Sequence, residues 1–193
     1  MVIIGLTGSI GMGKSTVARQ FAAFGAKVCS ADACVHKLMA KGGVAVGEIA
    51  KYFTDAVKNH EIDRQVLGKI VFADKKKLTL LENILHPMVQ EMEDDFTYRA
   101  KNLGAKIVVL DIPLLFETGG EQRVDFTVAV TAPAFIQRQR VMVRKGMTAE
   151  KFERIVASQL PSQEKEKRAD FVIQTGLGKA HSFMAVKELV SSL

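Results

Sequence analysis

Gly8-Ser9-Ile10-Gly11-Met12-Gly13-Lys14-Ser15 matches G-x-x-x-x-G-K-[ST] at every fixed position. Its flanks fit the same reading. Val2 to Leu6 is a short apolar run that opens straight into the loop, as a buried parallel strand would. From Lys14 to Phe24 the apolar residues Val17, Ala18, Phe21 and Ala22 recur at helical spacing, and Gly25 supplies a stop signal. A strand, a Gly-rich turn and a helix N-terminus in that order make an anion nest. The glycines let the backbone wrap with its N–H groups inward, and the helix end adds positive partial charge. Gly8, Gly11, Met12, Gly13, Lys14, Ser15 and Thr16 are therefore the expected nucleotide contacts. Lys14 can reach the β- and γ-phosphates, Ser15 can place its hydroxyl on Mg²⁺, and Thr16 can contact the α-phosphate region. The motif indicates nucleotide binding and does not by itself say what is phosphorylated.

Working outward, Ala26 to Cys29 reads as a second strand. Ala33 to Leu103 reads as mainly helical, broken at Gly42-Gly43 and around Lys58-Asn59-His60, with His86-Pro87 ending one helix and starting the next. Ile107 to Ile112, Phe126 to Val130 and Phe171 to Ile173 read as three further strands. Thr131 to Lys145, Thr148 to Gln159 and Lys179 to Leu193 read as helices, with Thr148 as a cap. Strands alternating with helices imply a parallel five-stranded α/β sheet flanked by helices. The helical stretch between the second and third strands is too long for a simple crossover. It implies an insertion beside the core, placed where a second substrate could be held.

The bulk properties limit the partners. The 193 residues suit one core with insertions, and they carry a formal net charge of +6, which suits an anionic partner. The densest basic run, Lys75-Lys76-Lys77, reads as a solvated helix face. Aromatic residues do not interleave with basic ones, so no nucleic-acid partner is expected. No apolar stretch approaches the about 20 residues of a membrane helix, so no membrane partner is expected either. The N-terminus shows no basic leader or cleavage site, and a cytoplasmic protein is the expectation. There Cys29 and Cys34 would be free, buried thiols. The sequence leaves monomer and weak homo-oligomer both open.

Small kinases differ from nucleotide switches by an acid near the end of the second strand and by arginines on a mobile lid. A GTPase would need a guanine-reading N-K-x-D, which does not occur here. Asp32 follows the second strand, at the edge where open α/β sheets bind ligands, and can accept a proton from an attacking hydroxyl. It can equally cap the next helix. Arg138, Arg140 and Arg144 fall on one expected helix, and the last two share a face, as lid residues or as a solvated surface. Asp111 ends the run Ile107-Val108-Val109-Leu110 and could hold Mg²⁺ or serve the strand end alone.

Several strings then converge in order along nearly the whole chain. Gly5-Leu6-Thr7-Gly8 running into Gly11 to Thr16 resembles the N-terminus of bacterial dephospho-CoA kinases, P-loop small-molecule kinases. Ala31-Asp32 with Leu38 resembles the family's D-A-D-x-x-x-x-x-L segment, and Asp63-Arg64 with Leu67, Val71 and Phe72 its D-R-x-x-L-x-x-x-V-F stretch. Leu85-His86-Pro87, Pro113-Leu114-Leu115-Phe116-Glu117, and Gln137 with Arg140 and Arg144 resemble L-H-P, P-L-L-F-E and Q-x-x-R-x-x-x-R. Gln159 and Ala169 to Ile173 resemble the closing segment.

The resemblance implies ATP and Mg²⁺ as cofactors, dephospho-CoA as second substrate, and phosphorylation of its ribose 3′-hydroxyl to give coenzyme A. It implies a core at about 1–32, 105–136 and 168–193, a helical substrate-binding insertion at about 33–104 and a lid at about 137–167. By it Asp32 is the base, Lys14 and Arg140 are catalytic, and Arg144 joins the ATP contacts. Arg64, His86, Pro113, Leu114 and Leu115 lie along the acceptor site with Asp32. Arg64 would pair with pyrophosphate and the Leu pair would line the path of the apolar arm. His86 can also be read as a helix-end residue packed against the core.

Three departures stand out. Ser30 replaces the family's frequent first Asp, Ser9 and Met12 replace the usual Gly and Ser of the loop, and Gln174-Thr175-Gly176 replaces D-N-x-G, so no adenine-side contact is carried over. The competing readings are a nucleoside or nucleoside-monophosphate kinase, which uses the same loop and lid, and a non-catalytic nucleotide-binding module.

Overall fold

The computed structural model describes residues 1–193. Its centre is β1 (Val2–Thr7), paired in parallel with β5 (Ile107–Asp111) on one side and β6 (Phe126–Thr131) on the other. With β2 (Lys27–Ser30) and β7 (Phe171–Gln174) these form a five-stranded sheet in the order β2-β5-β1-β6-β7. Ile4, Leu6, Val109, Val128 and Val130 share one buried cluster with Val17 and Phe21 of α1 (Lys14–Ala23) and Val186 and Leu189 of α9 (Lys179–Ser192). Intervening strand residues such as Gly5, Val108 and Leu110 are also buried. Burial on both faces explains why the strands read as continuous apolar runs rather than alternating ones.

The chain divides into two compact units, 1–29 with 100–193, and 30–99. The first contains the sheet core and a segment built from α6 (Ala134–Met142), α7 (Ala149–Ala157) and α8 (Ser162–Arg168). The second contains α2 (Ala31–Met39), α3 (Ala45–Ala50), the hairpin β3 (Val57–Lys58) and β4 (Glu61–Ile62), α4 (Arg64–Phe72) and most of α5 (Lys75–Asn102). Asp63 starts α4 as its cap, accepting from the Gln65 and Val66 amides at 3.0 and 3.1 Å.

Four expectations need correction. Pro87 does not separate two helices, because it lies inside the single 28-residue α5. Leu81, Leu85 and Val89 are buried at four-residue spacing across it, and this packing outweighs the one hydrogen bond that proline removes. The break around Lys58-Asn59-His60 does interrupt the helices, but the mainly helical stretch carries a β-hairpin there, with Asn59 and His60 in its turn at φ 52° and 64°. Two-residue strands are too short to show a period in sequence. The helix holding Arg138 and Arg140 ends at Met142, so Arg144 lies beyond it and shares no helical face with Arg140. Gly146, at φ 75°, stands in the turn that follows. Finally, α8 has no counterpart among the expected helices, because its sequence, Ser162 to Arg168, is polar throughout.

Candidate active site

The carboxyl ends of the strands carry the chemistry. After β1 the loop turns through Gly11 and Gly13 at φ 79° and 91°, a region that strains any residue with a Cβ. Space is closed there too. A Cβ on Gly11 would lie 2.5 Å from Val141 Cγ2, and one on Gly13 would lie 3.0 Å from Thr175 Oγ1. Gly13 caps α1 without a side-chain hydrogen bond, and its carbonyl accepts from the Thr16 and Val17 amides at 2.9 and 3.2 Å, which leaves the Lys14 and Ser15 amides at the helix start available to an anion. Lys14 Nζ forms an ion pair with Asp111 Oδ1, both side chains largely buried. Parallel pairing puts Leu6 opposite Asp111 and so fixes that carboxylate at the level of the loop.

The loop is held from outside by side chains. Ile10 donates its N–H to Gln159 Oε1 at 3.0 Å and accepts from Gln137 Nε2 at 2.9 Å. Thr175 donates its hydroxyl to the Met12 carbonyl at 2.6 Å. Arg140 donates to Thr175 Oγ1 at 2.9 Å, to the Thr175 carbonyl at 2.8 Å and to the Gly11 carbonyl at 3.5 Å. The Met12 side chain is buried, its Sδ accepting from the Ala132 amide at 3.2 Å. Arg144 is exposed and lies outside this network, while Arg138 is engaged by Glu153 at 3.8 Å and by the Phe152 ring.

A second set secures the segment after β5. The Pro113 carbonyl accepts from Thr7 Oγ1 at 3.0 Å and from Lys165 Nζ at 2.8 Å. Lys165 is 1% exposed and pairs with Glu117 at 2.8 Å. Burial lowers its pKa, Glu117 opposes that shift, and the charge of Lys14 adds to it. Glu117 also accepts from the Leu160 amide at 2.8 Å. Leu114 is half-buried, but Leu115 is 0% exposed and packs on Gly5. Leu115 therefore has no surface with which to line a substrate path.

In the unit 30–99, Ser30 rather than Asp32 caps α2, accepting from the Ala33 amide at 3.4 Å. Asp32 stands exposed in the first turn of that helix. Arg64 opens α4 and lines a cavity of about 580 Å³ together with His36, Lys58, Glu61, Met39 and Ile62. Its walls carry both charges, Lys58 and Arg64 against Glu61 and Asp63, beside the apolar Met39 and Ile62, and its volume is that of a small-molecule site. His86 is exposed in the middle of α5, neither at a helix end nor packed in a core.

The donor set suits Mg²⁺. No group of three or more His, Cys, Asp or Glu residues is assembled as a metal cage. Mg²⁺ arriving with a nucleotide needs only one or two protein oxygens beside phosphate and water, and the exposed Ser15 and the strand-end Asp111 can supply them. No helix is long and apolar enough to cross a membrane.

Sequence reading missed two parts of this arrangement. Thr175 stood out only as a departure from a pattern, and its role depends on a contact 163 residues away. Lys165 was hidden among the charges of α8, which show no apolar period.

The comparisons with known proteins place the chain in a family. The family model for dephospho-CoA kinase matches residues 2–179. The dephospho-CoA kinase of Mesorhizobium japonicum is 47% identical over 193 residues, covering 100% of this chain and 97% of the relative. A crystal structure from Thermus thermophilus superposes with a TM-score of 0.86 at 35% identity, covering 100% of this chain and 97% of that one. The structure of dephospho-CoA kinase from Campylobacter jejuni gives 0.72 at 28% identity, covering 98% and 95%. The Gly-rich loop, its paired Lys14 and Asp111, and a likeness running the length of the sequence lead to one conclusion: this chain belongs to the dephospho-CoA kinase family.

Proposed function

We infer that the chain catalyses the ATP-dependent phosphorylation of dephospho-CoA to coenzyme A, with the ribose 3′-hydroxyl as acceptor. The observation that carries the donor half is the phosphate loop, with Lys14 and the open amides of α1 beside it. The family match carries the choice of acceptor.

In the proposed mechanism the loop amides of Gly11 and Gly13, with those of Lys14 and Ser15 at the start of α1, bind and orient the triphosphate. Lys14 moves its ammonium from Asp111 to the β- and γ-phosphates. Ser15 and Asp111 would hold Mg²⁺, which supplies charge neutralisation at the phosphates when bound. Asp32 orients the 3′-hydroxyl and takes its proton as the oxygen attacks in line. Arg140 withdraws from Thr175 to the transferring phosphoryl group, Arg144 adds its charge on the ATP side, and closure of the 137–167 lid excludes water. Arg64 pairs with the acceptor's pyrophosphate, and the Arg64 cavity offers Lys58 and His36 as further cationic partners. Pro113, Leu114 and His86 line the acceptor's approach. Core, insertion and lid follow the bounds about 1–32, 105–136 and 168–193; about 33–104; and about 137–167.

The test is acceptor-dependent ADP release with dephospho-CoA, AMP, CMP and shikimate, with the product identified by mass. Release with dephospho-CoA alone, and a product one phosphate heavier, is the expected outcome. Release with AMP or CMP instead would favour a nucleoside-monophosphate kinase.

A further inference from the structure

We propose that Gln137 and Gln159 are positioning residues for phosphoryl transfer. Together they fix the two peptide planes that flank Ile10 and fasten the lid segment to the phosphate loop at two separate points. The proposal rests on reading the chain as an ATP-dependent kinase.

The hydrogen bonds have opposite polarity. Gln137, on α6, donates through Nε2 to the Ile10 carbonyl, and Gln159, beyond α7, accepts through Oε1 from the Ile10 amide. A trans peptide unit is planar, so its C=O and N–H point in opposite directions. Holding the Ile10 carbonyl toward Gln137 turns the Gly11 N–H away from it. The next two units are held in the same sense, the Gly11 carbonyl by Arg140 and the Met12 carbonyl by Thr175. The Gly13 N–H is thereby turned away from Thr175. The Ser9–Ile10 unit is held in the reverse sense, and its Ser9 carbonyl accepts from the Met12 amide at 3.2 Å within the loop. Four consecutive peptide units are each fixed by one side chain from outside the loop.

Glycine makes such a turn possible but leaves it with more freedom than any other residue. An anion nest acts only if its amides are already aimed when charge develops. The two glutamines supply that aim without touching the nucleotide. Gln137 is buried, so removing its amide also leaves the Ile10 carbonyl without a partner.

Opposite polarity makes the proposal testable. A glutamate keeps the acceptor oxygen and loses the donor. Gln159→Glu therefore retains the bond, whereas Gln137→Glu sets a carboxylate against a carbonyl. The added charge repels a triphosphate in both variants, so the two Glu variants are compared with each other and not with the parent. The experiment measures Gln137→Met, Gln137→Glu, Gln159→Met and Gln159→Glu beside the parent. It reads calorimetric affinity for a non-hydrolysable ATP analogue, kcat and KM for both substrates, and the thermal midpoint.

The Met variants are expected to lose about ten-fold in analogue affinity and in kcat/KM for ATP, with KM for dephospho-CoA within about two-fold, and Gln159→Glu to bind the analogue about ten-fold more tightly than Gln137→Glu. Analogue affinity within about two-fold of the parent in the Met variants, or equal affinity in the two Glu variants, would overturn the proposal. Gln159 is only half-buried, so Gln159→Met decides the matter even if the Gln137 variants fail to fold. Analogue binding needs no acceptor. A parent that binds the analogue but does not phosphorylate dephospho-CoA would defeat the activity reading and still leave the clasp under test.

Discussion

Two of the turns that leave the ordinary range of φ do so in different ways. The phosphate loop uses Gly11 and Gly13, and its main chain is tied by Gln137, Gln159, Arg140 and Thr175. The β3–β4 turn uses Asn59 and His60, and side chains around it, Lys58 and Arg64 among them, line a cavity. At the first the backbone is the ligand-binding surface, so the sequence must supply glycines at fixed spacing. At the second the side chains are the surface, and the backbone need only bring them together. The phosphate loop is thus written as a local motif, while the cavity proposed for the acceptor is written only in the fold of the unit 30–99.

Substitutions should separate the two ends, and the largest effect is expected at the donor end. Lys14→Ala should lower kcat/KM for ATP by about 10³-fold, read by coupled ADP release, because a charge aimed at the transferring phosphoryl is lost. A change below ten-fold would break the assignment. Gly13→Ala should cost about 10- to 100-fold in the same assay, since a Cβ at φ 91° is strained and also meets Thr175. At the acceptor end, Arg64→Ala should raise KM for dephospho-CoA by about ten-fold and leave KM for ATP alone, as expected for one lost charge-assisted hydrogen bond. A matching rise in both constants would erase the distinction between the ends.

The smallest expected effect lies away from both ends. Asp170 accepts from the Thr127 hydroxyl and amide at 2.7 and 2.8 Å, and these bonds lower its pKa from the ordinary 3.8. Its folded pKa is below its unfolded one, so its stabilisation is present above pH 3.8 and is lost as the pH falls through the folded value. Thermal midpoints should therefore show Asp170→Asn less stable than the parent at neutral pH, with the gap closing in acid. A gap independent of pH would mean that the carboxylate's charge is not what matters.

The sheet was legible because β1, β5 and β6 are buried on both faces and read as short apolar runs bounded by turn residues. Five strands and the Gly-rich loop could be placed from these signals alone. Three features escaped for physical reasons. Pro87 is a strong local stop that the packing of Leu81, Leu85 and Val89 overrides. The hairpin has strands too short for a period. α8 is polar throughout and its middle residue, Lys165, is a charge made internal by Glu117 and the Pro113 carbonyl; no periodicity rule expects a buried lysine. Among site residues, Lys14 and Ser15 follow from the motif itself. Asp32 is proposed from strand order and Arg64 from resemblance, whereas Leu115 was misread because an apolar residue beside a loop looks the same in sequence whether it lines a cavity or backs a strand.

The central claim is that a carboxylate on α2 activates the acceptor hydroxyl while the tied loop presents the phosphate. Single-turnover transfer from ATP to dephospho-CoA by Asp32→Asn, with both substrates saturating, tests it most directly. A fall of about 10²- to 10⁴-fold with nucleotide affinity unchanged is the predicted result. Turnover within a few-fold of the parent would contradict it.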